Sequence, residues 1–315
     1  MMPIERHDLI IIGAGPAGLS AAIYASRSLL DFVIIEQESV GGQALLTSEI
    51  DNYPGVPHVN GMSLSGDMEE QATELGVDIR TEMVASITRN DDGTFSIVTD
   101  MRKYLARCVI LATGASPRLA GFDGEKRFAG RGVSYCATCD GMFYKGKPVF
   151  VIGGGNSAAE EALFLTRFAS HVTMVVRKGR MRAQASVKKQ VEGNPKIDVL
   201  YGTTISSVSG DDKPDTIVFR DVSTGRETME SFEPGAFGIF VFVGSEPESG
   251  IIAGIVDTND DGYVVTDETM ATGVAGLYVA GDVREKPLRQ IVTAVSDGAI
   301  AATSAAAYLA HDDNR

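Results

Sequence analysis

Leu9-Ile10-Ile11-Ile12-Gly13-Ala14-Gly15-Pro16-Ala17-Gly18 decides the fold class of this 315-residue chain. A continuous β-branched run marks a strand buried on both faces. The glycine turn follows at once, then an alanine-rich helical stretch from Leu19 to Ser28. A second strand, Phe32-Val33-Ile34-Ile35, ends at Glu36. Strand, glycine turn, helix, strand and acid form a βαβ dinucleotide unit. The glycines let backbone approach a pyrophosphate resting on the helix N-terminus, and Glu36 stands where a ribose hydroxyl is bonded. A ligand-free glycine turn is the plainer alternative.

The unit occurs twice. Shifted by 140 positions without a gap, Gly13 falls on Gly153, Gly15 on Gly155, Gly18 on Ala158, Ala22 on Ala162 and Arg27 on Arg167. The second copy runs Pro148 to Ile152, Gly153-Gly154-Gly155-Asn156-Ser157-Ala158, a helix over 159–168, and Val172 to Val175. Two such units in register exceed what one motif match can say. They differ where Glu36 falls on Val176, followed by Arg177, Lys178, Arg180 and Arg182. An acid there suits a free 2′-hydroxyl and cations suit a 2′-phosphate. The first unit therefore reads as an FAD site and the second as an NADPH site. A solvated basic loop is the alternative for the cations.

Between the copies lies Tyr135-Cys136-Ala137-Thr138-Cys139-Asp140-Gly141. Two thiols at this spacing can open and close a disulfide and so store two electrons. Asp140 reads either as a proton donor and acceptor or as a turn or capping residue. Zinc would want four ligands, and the third cysteine and scattered histidines offer no second pair. Cys108, in an apolar strand, reads as an inert core thiol.

The remaining chain is read more coarsely. Gly41-Gly42-Gln43 and Asn52-Tyr53-Pro54-Gly55 are loops, 63–75 an amphipathic helix, and 78–100 short strands around an Asn90-Asp91-Asp92-Gly93 turn. Cys108 to Gly114 and Phe237 to Gly244 are buried strands running into glycine. Leu277 to Ala280 is a strand ending at Gly281-Asp282, before an alanine-rich helix over 292–309. Asp282 either binds a polyol hydroxyl or caps a helix. The fold expected is α/β, with one Rossmann-like domain nested in the other. The boundaries are 1–117 with 248–315 for FAD, and 118–247 for NADPH and the cysteine pair. Two crossings between domains make a hinge.

Net charge of −14 disfavours nucleic acid or an anionic membrane as the main partner. The apolar run at 9–12 is too short for a membrane span or secretory segment, residues 1–8 are polar, and 311–315 reads as a polar tail. An odd cysteine count fits a reducing compartment, so the expected location is cytoplasmic.

The chain resembles the bacterial-type, low-molecular-weight thioredoxin reductases over nearly its whole length. The resemblance rests on both glycine turns, Gly41-Gly42-Gln43, Asn52-Tyr53-Pro54-Gly55, Ala112-Thr113-Gly114, Cys136-Ala137-Thr138-Cys139-Asp140-Gly141, Gly281-Asp282 and Arg289-Gln290-Ile291. It implies an NADPH-dependent disulfide reductase that is a homodimer, with thioredoxin as acceptor and a rotating NADPH domain. By that resemblance Cys139 faces the flavin, Cys136 exchanges with thioredoxin and Asp140 handles protons. FAD would be held by Gly13, Gly15, Pro16, Ala17, Gly18, Glu36, Gln37, Gly42, Gln43 and Asn52. Later FAD contacts would be Ala112, Thr113, Gly114, Gly281, Asp282, Arg289, Gln290 and Ile291. NADPH would be held by Gly153, Gly155, Asn156, Ser157, Ala158, Arg177, Lys178 and Arg182. The family's His-Arg-Arg-x-x-x-Arg is here Val176-Arg177-Lys178-Gly179-Arg180-Met181-Arg182, which weakens the expected discrimination against NADH. Open alternatives are a flavin dithiol oxidase, a reductase of another small disulfide partner, a different electron donor, or a module with vestigial redox groups.

Overall fold

A computed structural model describes residues 4–47 and 50–312. The last residues of the expected polar tail, and residues 1–3 of the polar N-terminus, lie outside them. The chain divides into two compact units, Met1–Ser116 with Glu246–Arg315, and Pro117–Ser245.

The first unit begins with β1 (Ile4–Ile12), α1 (Pro16–Arg27) and β2 (Phe32–Glu36). Alternation along β1 sends Leu9 and Ile11 into one apolar core and Ile10 and Ile12 into another, so both sheet faces are covered. Pro16 starts α1, where its missing N–H costs nothing. α2 (Gly61–Glu74) begins two residues before the sequence pattern suggests, because the Asn60 side chain accepts from Ser63 N at 2.8 Å and caps it. Then come β3 (Ile79–Thr81), β4 (Val84–Arg89), β5 (Phe95–Thr99), β6 (Lys103–Leu111) and β7 (Ala115–Pro117).

The second unit holds β8 (Val133–Ser134), α3 (Ala137–Asp140), β9 (Pro148–Ile152), α4 (Asn156–Leu165), β10 (His171–Val176), α5 (Ala185–Glu192) and β11 (Ile197–Tyr201). α4 starts at the glycine turn itself, three residues before the expected 159. An antiparallel trio follows: β12 (Thr203–Gly210), β13 (Pro214–Asp221) and β14 (Glu227–Ser231). β15 (Gly238–Val241) completes a parallel sheet ordered β11-β10-β9-β15-β8. One face packs on α4 through Val149 and Val151. The other packs Phe150 and Ile152 against Ile205, Ile217 and Phe219 of the antiparallel trio.

β16 (Ser245–Pro247) pairs with β7, so the crossings form a two-stranded ribbon rather than free loops. β17 (Leu277–Val279) joins the first sheet, ordered β3-β2-β1-β6-β5-β4, beside the second half of β6. α6 (Ile291–Asp312) is long and apolar enough to cross a membrane by length and composition. It packs instead along α1: Ser20 Oγ donates to Val295 O at 2.7 Å, and a Cβ on Gly298 would stand 2.0 Å from Ala17 O.

Candidate functional site

Parallel strands leave ligand sites beyond their carboxyl ends. In the first unit β1 ends at Ile12 before Gly13, β2 at Glu36, β6 at Leu111 before Ala112 and β17 at Val279, two residues before Gly281. Gly13 has φ of +102° and a Cβ there would meet Ala112 O at 2.4 Å; one on Gly18 would meet Gly13 O at 1.8 Å. Glycine is needed at both. A Cβ on Gly15 would meet nothing within 4 Å, so the turn's middle is open. Glu36 accepts from Ala14 N at 2.7 Å and from Glu38 N at 3.0 Å, tying the strand end to the turn. Gly42 lies against Gly15, and Gly41 N donates to Ala14 O at 2.9 Å. Gln37 and Gln43 are exposed. Asn52 Nδ2 donates to Gln290 Oε1 at 2.9 Å, bringing distant motifs together. Thr113 Oγ1 donates to Glu248 O at 2.7 Å beside Gly114, at φ +75°. Ala17 is buried between Gly281 and α6, so it serves packing. Arg289 leads through Gln290 to Ile291, the first residue of α6. Its guanidinium lies 3.9 Å over the Tyr263 ring, a partner no local motif announces.

The second unit repeats this with differences. A Cβ on Gly153 would meet Phe242 O at 2.3 Å, and one on Gly155 would meet nothing. Ala158 is buried and Ser157 exposed. Asn156 Oδ1 accepts from Gln184 N at 2.7 Å, and Arg182 N donates to Gly154 O at 2.6 Å. These bonds fold the loop after β10 back onto the turn. Arg177, Lys178, Arg180 and Arg182 are all exposed on it. Val176 is not part of that surface: at 2% exposure it packs under Gly154.

Cys136 and Cys139 form a disulfide, with Cα atoms 5.3 Å apart. Cys136 caps α3, its Sγ accepting from Cys139 N at 3.2 Å. The buried hydroxyl of Ser134 accepts from Cys136 N at 3.1 Å. Tyr135 donates to the buried carboxylate of Glu125 at 3.1 Å, and that carboxylate also accepts from Ala120 N and Gly121 N. The support from Glu125, ten residues before Tyr135, has no local signal, whereas Ser134 lies two residues before Cys136.

Among the described residues four buried side-chain polar atoms lack a hydrogen-bond partner, and two are Asp140 Oδ1 and Asp282 Oδ1. Neither aspartate fills the capping role open to it in the sequence. Asp140 makes no side-chain cap bond, and no hydrogen bond reaches Asp282 Oδ1. Burial pushes both carboxyls above the usual range. Ser134 opposes this at Asp140, and Lys286 then Arg289 oppose it at Asp282. Burial, with the Asp140 charge adding to it, raises the Tyr144 phenol to about 12. An open glycine cradle with an orphaned carboxylate oxygen fits a polyol-bearing dinucleotide.

The sequence model of the pyridine nucleotide-disulphide oxidoreductases matches residues 7–298, and the chain belongs to that family. It is 46% identical to a thioredoxin reductase of Peptoclostridium acidaminophilum, over 96% of this chain and 97% of the relative. Identity to the thioredoxin reductase of Bacillus subtilis (strain 168) is 42%, covering 96% and 95%. The crystal structure of thioredoxin reductase from Streptococcus pyogenes MGAS5005 superposes with a TM-score of 0.92 at 40% identity, covering 98% of this chain and all of that one.

Proposed function

We propose that this chain is a thioredoxin reductase, passing electrons from NADPH through FAD and the Cys136–Cys139 disulfide to oxidised thioredoxin. The observation that carries the reading is the disulfide followed at once by Asp140, one of whose carboxylate oxygens is buried without a hydrogen-bond partner. When bound, FAD supplies two-electron exchange between a nicotinamide and a disulfide. The first glycine turn, Glu36, Asp282 and the Arg289-Gln290-Ile291 segment would hold it. Gly153 to Ala158 would hold the NADPH pyrophosphate, with Arg177, Lys178 and Arg182 on its 2′-phosphate.

Reduction of the disulfide takes two electrons and two protons and leaves two thiols. Asp140, favoured in its protonated form by burial, gives a proton to a departing sulfur and takes it back. The Cys136 thiolate then attacks the thioredoxin disulfide, forming a mixed disulfide. Cys139 displaces it, which restores the internal disulfide and releases the thioredoxin dithiol. The assignment of Cys136 to the partner and Cys139 to the flavin follows the family resemblance. We further propose a homodimer in the cytoplasm. The exposed Tyr24 and Leu29 are consistent with a covered surface, and light scattering at twice the 33.4 kDa chain mass is the expected result.

An anaerobic titration tests the function. NADPH should bleach the yellow protein, and oxidised thioredoxin should restore the colour. No bleaching by NADPH or NADH would remove the nicotinamide reading. Bleaching without reoxidation by thioredoxin would point to another disulfide partner.

A further inference from the structure

Asp297 is an acid in the alanine-rich helix α6, yet it is only 6% exposed. Its Oδ2 accepts from Lys286 Nζ at 2.8 Å and from Gly281 N at 3.1 Å, and Arg284 Nη1 lies 3.5 Å from both its oxygens. The Lys286 side chain is 4% exposed, and its ammonium also stands 3.6 Å from Asp282 Oδ1. Two buried charges are costly, and replacing a buried ion pair with apolar residues of similar volume is often neutral or stabilising. This pair does something an apolar pair cannot. It places a positive charge beside a buried carboxylate oxygen that no hydrogen bond satisfies.

We infer that Lys286 and Asp297 are positioning residues for the flavin nucleotide: Asp297 anchors Lys286, and Lys286 sets its ammonium beside Asp282 Oδ1 and so holds that carboxylate in place for a nucleotide hydroxyl. The inference rests on the reading of Asp282 as an FAD ligand. The charged groups around Asp282 are Lys286, Arg289, Arg284 and Asp297. α1 presents only the apolar Ala17 toward Gly281. Burial favours the protonated form of Asp282 and Lys286 is the first group opposing it, so its removal moves protonation to higher pH.

The test strips FAD from the full-length holoenzyme and titrates it back by flavin fluorescence at pH 6, 7 and 8. Lys286→Met and Asp297→Asn should each weaken FAD binding by at least about tenfold. In Lys286→Met the affinity should fall further as pH is lowered from 8 to 6, while the wild type stays level. The double variant Lys286→Met/Asp297→Leu removes both charges of the pair together and leaves Arg284 donating to Thr266 Oγ1, so it should fold as judged by circular dichroism and still bind FAD about tenfold more weakly. Lys286→Arg should recover most of the affinity. A folded double variant binding FAD within about twofold of wild type at every pH would overturn the inference. Asp282→Asn separates the two levels: unchanged FAD affinity there would mean that the reading of Asp282 itself has failed.

Discussion

The two glycine turns start from nearly the same sequence and end in different surroundings. In the first, a Cβ on Gly18 would lie 1.8 Å from Gly13 O. In the second the matching residue is Ala158, whose methyl is accommodated at full burial. The acid that ends β2 bonds its own turn through Ala14 N, whereas the residue that ends β10, Val176, is core and leaves the cations beyond it exposed. The lesson is that a shared backbone unit sets where a pyrophosphate can lie. The acid at the end of β2 and the exposed cations beyond β10 are what tell the two sites apart. The second unit also carries the cysteine turn ahead of β9, and the first has no counterpart to it.

The sharpest way to break this comparison is Cys136→Ser. It should lower thioredoxin reduction more than about 1,000-fold while stopped-flow flavin reduction by NADPH continues. Retained turnover would show that the sulfur roles are wrong. Next in size is Gly18→Ala, expected to cost about 3 kcal/mol by chemical denaturation because its methyl meets backbone. The reciprocal Ala158→Gly should cost only about 1 kcal/mol, and equal effects would mean the turns are interchangeable. Val176→His restores the family residue, but into the core. It should destabilise by roughly 1–3 kcal/mol and leave the NADPH KM unimproved. Arg177→Ala should raise the KM for NADPH about tenfold and leave that for NADH nearly unchanged. The smallest effect expected is in the melting temperature of Asp140→Asn. The Asp140 carboxyl is raised by burial, so its relative stabilisation is complete below the unfolded-state range and is lost as pH rises through the folded pKa. The variant should therefore melt higher than the parent at pH 8, with the gain shrinking toward pH 4.

Much of this was legible in the chain. The 140-residue shift, the β-branched runs and the glycines are local signals, because strand burial and turn geometry act over a few residues. Asn60 was less visible: its cap moved the start of α2 ahead of the amphipathic pattern. The contact between Asn52 and Gln290, 238 positions apart, had no local signature.

By itself the sequence determined that there are two dinucleotide units, that their strand ends differ in charge, and that a Cys-x-x-Cys lies between them. Periodicity, glycine placement and charge are properties of neighbouring residues. Only the tertiary structure decided that Val176 is core rather than ligand. It alone left one oxygen each of Asp140 and Asp282 buried without a hydrogen bond, and set Lys286 and Asp297 together behind Gly281. Burial and desolvation depend on what packs from elsewhere in the chain, and they decide whether a carboxylate caps a turn or waits for a ligand.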